Sequence, residues 1–283
     1  MEYKTLLNEA KIPVLGVGTW QVGGRTEPDY SIDKQEIAAL KKAIDLGYTL
    51  IDTAEMYGGG HTEELVAEAI KNVDRKKLFI VSKVMAQNLS YKNLIAAAKK
   101  SLERLQTNYV DLYLIHAPNP NIPLKETMKA MDYLVEKGLT KFIGVSNFSV
   151  KEMQEAQKYS KNKIVANQIQ YSLLCRNQST YHHCRNMESE IIPYCQENNI
   201  IIMADRPLHK GLLVENSYPV LEKLAKKYSK TKAQIALNWL ISKQNIITIP
   251  KATNIEHLIE NIGAIGWKLD QEDINILDKT DFN

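Results

Sequence analysis

Four ionisable side chains of complementary chemistry stand at, or just past, the ends of short apolar runs. Asp52 closes Leu50-Ile51-Asp52, and Tyr57 follows in the next loop, directly before Gly58-Gly59-Gly60. Lys83 closes Phe79-Ile80-Val81-Ser82-Lys83, and His116 closes Leu112-Tyr113-Leu114-Ile115-His116. Reducing a carbonyl takes a hydride at carbon and a proton at oxygen. A tyrosine, with an unperturbed pKa of about 10, holds its proton at neutral pH and is a reluctant acid unaided. A neighbouring cation lowers that value toward the working range, and Lys83 is expected to be that cation. Asp52 would keep the ammonium charged and oriented, and His116 would hydrogen-bond the substrate oxygen. Positioned proton donation of this kind contributes roughly 10²- to 10⁴-fold in rate. Taken singly, each residue has an ordinary explanation: a turn aspartate, a loop aromatic, a snorkelling lysine, a core histidine. Their recurrence at neighbouring strand ends points to one shared site.

That site requires the runs to be neighbouring strands. Eight β-branched runs recur, at residues 14–18, 48–53, 78–83, 110–116, 141–146, 164–169, 200–204 and 246–250. Most are continuously apolar, as strands buried on both faces of a parallel sheet are. Helical spacing fills the gaps: Ile37, Leu40 and Ile44 form one stripe, and Leu94, Ala97, Ala98, Leu102 and Leu105 another. Ser149-x-x-Glu152 and Thr231-x-x-Gln234 read as capping boxes. Alternating strands and helices predict an α/β fold, a (β/α)8 TIM barrel forming a single domain over residues 1–283. A doubly wound sheet would open with a glycine-rich turn leading into a helix, and Gly16-Val17-Gly18-Thr19-Trp20 lacks the third glycine. The first ten or so residues are expected to form a short N-terminal hairpin closing the barrel floor. Four longer loops, at residues 21–33, 117–123, 175–187 and 205–217, follow predicted strands and gather at the C-terminal face, where barrel enzymes hold their sites.

Composition agrees with this and narrows the partners. The chain is 44% hydrophobic and 24% charged, ordinary for a globular domain. Its 36 basic and 33 acidic residues leave +3, which gives no reason to expect nucleic acid or an anionic membrane. No run approaches the roughly 18 apolar residues of a membrane span, and the N-terminus lacks the apolar core of a secretory signal. Cys175, Cys184 and Cys195 form no CxxC pair and read as reduced thiols of a cytoplasmic protein. Tyr181-His182-His183-Cys184 lacks the spacing of a zinc site. It reads as a polar surface loop, and no metal is expected.

Together these features resemble the aldo-keto reductase family, over nearly the whole chain. The segment Asp45 to Gly58 is similar to the family's first signature, Gly144-Val145-Ser146-Asn147-Phe148-Ser149 to its second, and Pro250-Lys251-Ala252-Thr253-Asn254 with Glu260-Asn261 to its third. The family's tetrad of Asp, Tyr, Lys and His falls on Asp52, Tyr57, Lys83 and His116. The resemblance implies a barrel that binds NAD(P)H without a Rossmann fold and reduces aldehydes and ketones to alcohols. It implies that Ser146, Asn147 and Gln168 hold the nicotinamide carboxamide and that Tyr171 stacks on the ring. Lys251 would meet the 2′-phosphate of NADPH as a point charge, with Glu260 and Asn261 at the adenosine end. Gly18, Thr19, Leu208, Ala252 and Thr253 are further implied cofactor contacts. Two departures matter. His257 stands where many members carry arginine, and it offers no guanidinium fork. NADPH is therefore expected, with NADH as a second option. After the seventh strand the family often reads Ala-Tyr-Ser-Pro-Leu, whereas this chain reads Ala204-Asp205-Arg206-Pro207-Leu208. Arg206, in place of the serine, and Lys210 are expected to meet the pyrophosphate by charge.

Trp20, Met56 and His116, with the loop at 117–123, are expected to line an apolar pocket that admits small-molecule carbonyl substrates. Little chain follows the last predicted helix, at 270–279, so an open site and broad substrate use are expected. Two other readings compete. A cofactor-binding regulatory subunit of the same fold, as in family members resembling potassium-channel β subunits, would turn over little. The lack of an extended N-terminal segment weighs against that partner. An unrelated barrel hydrolase or lyase would need paired carboxylates or a metal cluster at strand ends, which the sequence does not offer.

Overall fold

The computed structural model describes residues 1–6, 9–177 and 186–282. The chain opens with an antiparallel hairpin, β1 (Tyr3–Thr5) and β2 (Lys11–Pro13). Eight parallel strands follow, each paired with the next in chain order: β3 (Val17–Gly18), β4 (Leu50–Asp52), β5 (Phe79–Val84), β6 (Val110–Ile115), β7 (Thr140–Ser146), β8 (Ile164–Gln170), β9 (Ile201–Asp205) and β10 (Ile246–Thr248). The last strand returns to the first. Thr248 N donates to Val14 O at 2.9 Å, and Gly18 N donates to Pro250 O at 3.1 Å. The sheet is thus a (β/α)8 barrel, and every expected strand is present.

The helices are α1 (Asp33–Asp45), α2 (His61–Ile70), α3 (Tyr91–Arg104), α4 (Leu124–Glu136), α5 (Val150–Tyr159), α6 (Ile192–Glu197), α7 (Leu212–Glu215), α8 (Pro219–Tyr228), α9 (Lys232–Ser242), α10 (Ile255–Ile262) and α11 (Gln271–Lys279). The expected apolar stripes face inward: Leu40 of α1 and Leu94, Ala97, Ala98 and Leu102 of α3 are buried in the layer between helices and strands. Both capping boxes form, at the starts of α5 and α9, each saturating a helix N–H that has no partner within the helix.

Side-chain alternation along the strands decides what fills the barrel. A second apolar cluster holds Leu50 of β4, Phe79 and Val81 of β5, Leu112 and Leu114 of β6, Ala166 of β8, and Ile201 and Met203 of β9. Leu6 and Ile12 of the hairpin join the same cluster, so the hairpin plugs the floor as expected. Two residues further along each strand, in the same inward phase, come Asp52, Lys83, His116, Gln168 and Asp205. The interior is therefore apolar at the bottom and polar at the C-terminal rim.

One expectation changes. Cys175 is disulfide-bonded and only Cys195, among the described residues, is a buried free thiol. Spacing in the sequence does not reveal which sulfurs the fold brings together. The segment Tyr181 to Cys184 lies outside the described residues. Among the described residues no helix is long and apolar enough to cross a membrane.

Barrel closure needs Gly18. A Cβ at that position would stand 2.7 Å from the carbonyl oxygen of Ile249. Gly18→Ala is expected to cost about 1–3 kcal/mol, as overpacking against fixed backbone does. A urea titration checks this, and an unchanged midpoint would mean that the seam opens without strain.

Candidate active site

The centre of the rim is a lysine with no exposed surface. All three ammonium donors of Lys83 are used: Asp52 Oδ2 at 2.8 Å, the Tyr57 hydroxyl at 2.9 Å and the Thr53 carbonyl at 3.0 Å. The other oxygen of Asp52 accepts from Gln168 Nε2 at 2.7 Å. Adjacent strands β4 and β5 bring the pair together, and Gln168 reaches it across the barrel mouth from β8. Tyr57 is not on a strand. A tight turn presents it, with Tyr57 N donating to Ala54 O at 3.1 Å. Gly58, Gly59 and Gly60 then take φ of +54°, +61° and +103°, left-handed values open to glycine and strained for side-chain-bearing residues. The glycine run releases the chain straight into α2.

Aromatic rings surround the hydroxyl. The Trp20 ring meets Tyr57 edge-on at 4.9 Å between centroids, and His116 does so at 5.7 Å. His116 extends the strand ladder through its N–H to Val84 O at 3.0 Å. Asn147, at φ +61°, turns its amide back to donate to His116 O at 3.1 Å and Ser146 Oγ at 3.0 Å.

The electrostatics differ from the sequence expectation in one respect. Burial lowers the Lys83 pKa, but Asp52 and Tyr57 outweigh it and leave the pKa raised, so the ammonium persists. Burial pushes the Tyr57 hydroxyl up to about 12, with Lys83 only partly offsetting the rise. In the resting site Lys83 does not bring Tyr57 near neutral pH, because desolvation of the phenolate costs more than the ion pair returns. His116 falls to about 3, through burial first and the Lys83 charge second, and stays neutral.

The structure separates the remaining expected residues. Ser146 and Gln168 are buried at the rim, and the side-chain oxygen Oε1 of Gln168 has no hydrogen bond among the described residues. Thr19 is buried and spends its hydroxyl on Asp52 O at 2.8 Å. Trp20 and Met56 are half-buried beside Tyr57. Lys251 is exposed and bridges to Gly18 across the seam. Ala252 beside it is buried, Thr253 half-buried and His257 exposed. On α10 Glu260 is half-buried and Asn261 buried, its side chain without a hydrogen bond among the described residues. Arg206 is held at the rim by its bond to Gln170 Oε1 at 3.1 Å, beside half-buried Leu208. Lys210 is exposed, with no ion pair or hydrogen bond among the described residues. Tyr171 needs correcting: it is turned out of the mouth. Its hydroxyl donates to Glu188 at 2.6 Å, and its ring lies 5.4 Å from that of Trp239 in the helical layer. Alternation from inward-facing Gln168 and Gln170 puts residue 171 outside, a signal the sequence carried. The same counting finds inward-facing Asp205 and Gln170, which the motif reading passed over.

The chain matches the aldo/keto reductase family over residues 14–281. It belongs to that family. It is an oxidoreductase that reduces carbonyl compounds. The chain is 36% identical over 275 residues to the methylglyoxal reductase YeaE of Escherichia coli (strain K12), covering 96% of this chain and 92% of that one. Among solved structures, the thermostable aldo-keto reductase Tm1743 in complex with the inhibitor epalrestat superposes with a TM-score of 0.92 at 46% identity, covering 98% and 99% of the two chains. An aldo/keto reductase from Klebsiella pneumoniae in complex with NADP and acetate gives 0.85 at 35% identity, covering 97% and 93%.

Removing one partner of a buried ion pair strands the other. Lys83→Met is expected to cost about 3–5 kcal/mol by leaving the Asp52 carboxylate buried and uncompensated. Asp52→Asn added to it should return part of that loss. Denaturant unfolding of the two variants checks this; a double variant less stable than Lys83→Met would show that the carboxylate is not the source of the cost.

Proposed function

We propose that the chain is an NADPH-dependent reductase of small aldehydes and ketones, short α-oxoaldehydes among them, in which Tyr57 gives the proton. The observation that carries this reading is the buried relay Tyr57–Lys83–Asp52, at 2.9 and 2.8 Å, opening at the barrel mouth between Trp20 and His116. The substrate class is supported by the methylglyoxal reductase among the relatives, and the cofactor by the NADP-bound relative. These also disfavour a regulatory subunit without turnover.

The residues present fit a nicotinamide cofactor. A carboxamide needs both a donor and an acceptor, and the Ser146 hydroxyl with the unpartnered Gln168 oxygen supplies both, beside Asn147. Lys251, with His257 nearby, offers positive charge to a 2′-phosphate. Buried Asn261, with Glu260, would serve the adenosine end, and Arg206 would meet the pyrophosphate. Gly18, Thr19, Leu208, Ala252 and Thr253 would line the cleft between. When bound, NADPH supplies the hydride.

The chain's own residues do the rest. Neutral His116 hydrogen-bonds the substrate oxygen and orients it, and Trp20 and Met56 exclude water from the carbonyl. Tyr57 donates its proton to that oxygen as it gains charge. The phenolate left behind is met by the Lys83 ammonium 2.9 Å away, which lowers the cost of that charge only when it forms. Asp52 and Gln168 keep the ammonium aimed. The high resting pKa thus keeps the acid loaded across the neutral range.

Tyr57→Phe is expected to lower kcat by roughly 10²- to 10⁴-fold while NADPH still binds. Steady-state assays with a panel of small aldehydes, alongside fluorescence titration of NADPH, check both halves; retained turnover would remove Tyr57 from the role. Because reduction uses protonated Tyr57, and its pKa is about 12, kcat/KM should stay level on the alkaline side of neutrality and fall only as pH nears that value. Lys251→Met should weaken NADPH about ten- to a hundredfold, as loss of a charge-assisted contact does, and leave NADH nearly unchanged. Equal losses for both cofactors would place the 2′-phosphate elsewhere.

A further inference from the structure

Asp205 ends β9 in the inward phase of Ile201 and Met203, both inside the barrel. Asp52, the other rim carboxylate on a strand end, is fully engaged by Lys83 and Gln168. The Asp205 carboxylate, half-buried, makes no hydrogen bond or ion pair among the described residues. The adjacent cation, Arg206, donates to Gln170 Oε1 at 3.1 Å and forms no ion pair with Asp205 among the described residues. The charged and titratable groups facing Asp205 are Arg206 beside it, Lys83 of β5, Asp52 of β4 and the Tyr57 hydroxyl. His209 lies in the turn beyond, bonded toward Gln170. Burial raises the Asp205 pKa to about 6, with Arg206 and Lys83 holding it back. It is thus a carboxylate that ionises just below neutrality and is in direct ion pair with no cation among the described residues.

β9 adjoins β8, the strand that carries Gln168. Gln170 of β8 pairs directly with Asp205. If the carboxamide is held by Ser146, Asn147 and Gln168, the attached ring lies against the rim beside β9 and within reach of the carbonyl that Tyr57 protonates. That ring is neutral when reduced and carries a formal positive charge when oxidised. A carboxylate at its flank interacts with one form and hardly with the other. We propose that Asp205 discriminates between the redox states of the nicotinamide, binding the oxidised, cationic form in preference to the reduced one. The inference rests on the proposed cofactor site. The same carboxylate favours the positive charge that develops as the hydride leaves, and it holds the oxidised product back from release.

The test is a pair of binding titrations, by calorimetry, of NADP⁺ and NADPH on the native protein and on Asp205→Asn, at about pH 5 and about pH 8, on either side of the Asp205 pKa. The quantity of interest is the ratio of the NADPH Kd to the NADP⁺ Kd. Both forms carry the same 2′-phosphate, so its titration and the charges of Lys251 and His257 cancel in that ratio. In the native protein the ratio should rise about tenfold from the lower to the higher pH, the scale of one nearby unit charge. In Asp205→Asn it should stay flat at the low-pH value. The native pH profile stands alone should the variant fold poorly. Both forms binding with a ratio unmoved by pH would overturn this inference and leave the reductase reading intact. No binding of either form would overturn both.

Discussion

An ammonium without exposed surface cannot sit inside a barrel unless something cancels the cost of stripping its water. Lys83 is in that position, and Asp52, Tyr57 and the Thr53 carbonyl take up its three donors. The rest of the rim is arranged around this requirement. Gln168 occupies the spare oxygen of Asp52, the Tyr57 turn needs three glycines to bring its hydroxyl to the lysine, and α2 starts immediately beyond. Removing the pair would cost the molecule both its site and the order of its mouth.

Two chemistries share one set of strands because side chains alternate and the barrel has two ends. Towards the floor the inward positions are Leu50, Val81, Leu112 and Ile201, sealed by Leu6 and Ile12 of the hairpin. One inward step from the top they become ionisable. The apolar layer beneath keeps the dielectric low around the lysine, which strengthens the pair and raises the Tyr57 pKa together. In the proposed mechanism the acid is thereby withheld until a substrate oxygen needs it, and the neighbouring cation acts on the phenolate rather than on the resting phenol. His116 is kept neutral by the same burial and the same cation, and so remains a hydrogen-bonding group rather than a competing charge.

Charge at the mouth is uneven. The Asp52 carboxylate is engaged by Lys83 and Gln168, whereas Asp205 has no hydrogen bond or ion pair among the described residues and the adjacent Arg206 donates to Gln170. Lys251 stands at the β3–β10 seam, between β10 and the start of α10. Such a layout suits a long ligand with anionic groups at one end and a ring of changeable charge at the other.

Much of this was legible in the sequence. Eight β-branched runs, two capping boxes, the N-terminal hairpin and the order of Asp52, Tyr57, Lys83 and His116 are local properties, set by propensity, periodicity and turn chemistry within a few residues of each position. Where the structure departs from these expectations, an overlooked alternation or contacts distant along the chain are the cause. Tyr171 was given a place in the mouth on resemblance, yet strand alternation sends it to Glu188 and Trp239, residues that only folding brings near. Motif reading passed over Asp205 because an aspartate at a strand end is ordinary until its neighbours are known. The Tyr57 pKa was expected to fall because a cation is visible in the sequence, while the depth of burial that raises it is not. The disulfide at Cys175 escaped for the same reason. Residue types, their order and the alternation of side chains along a strand are local; desolvation and partner choice arise from surroundings assembled across the whole chain, and the barrel alone decided them.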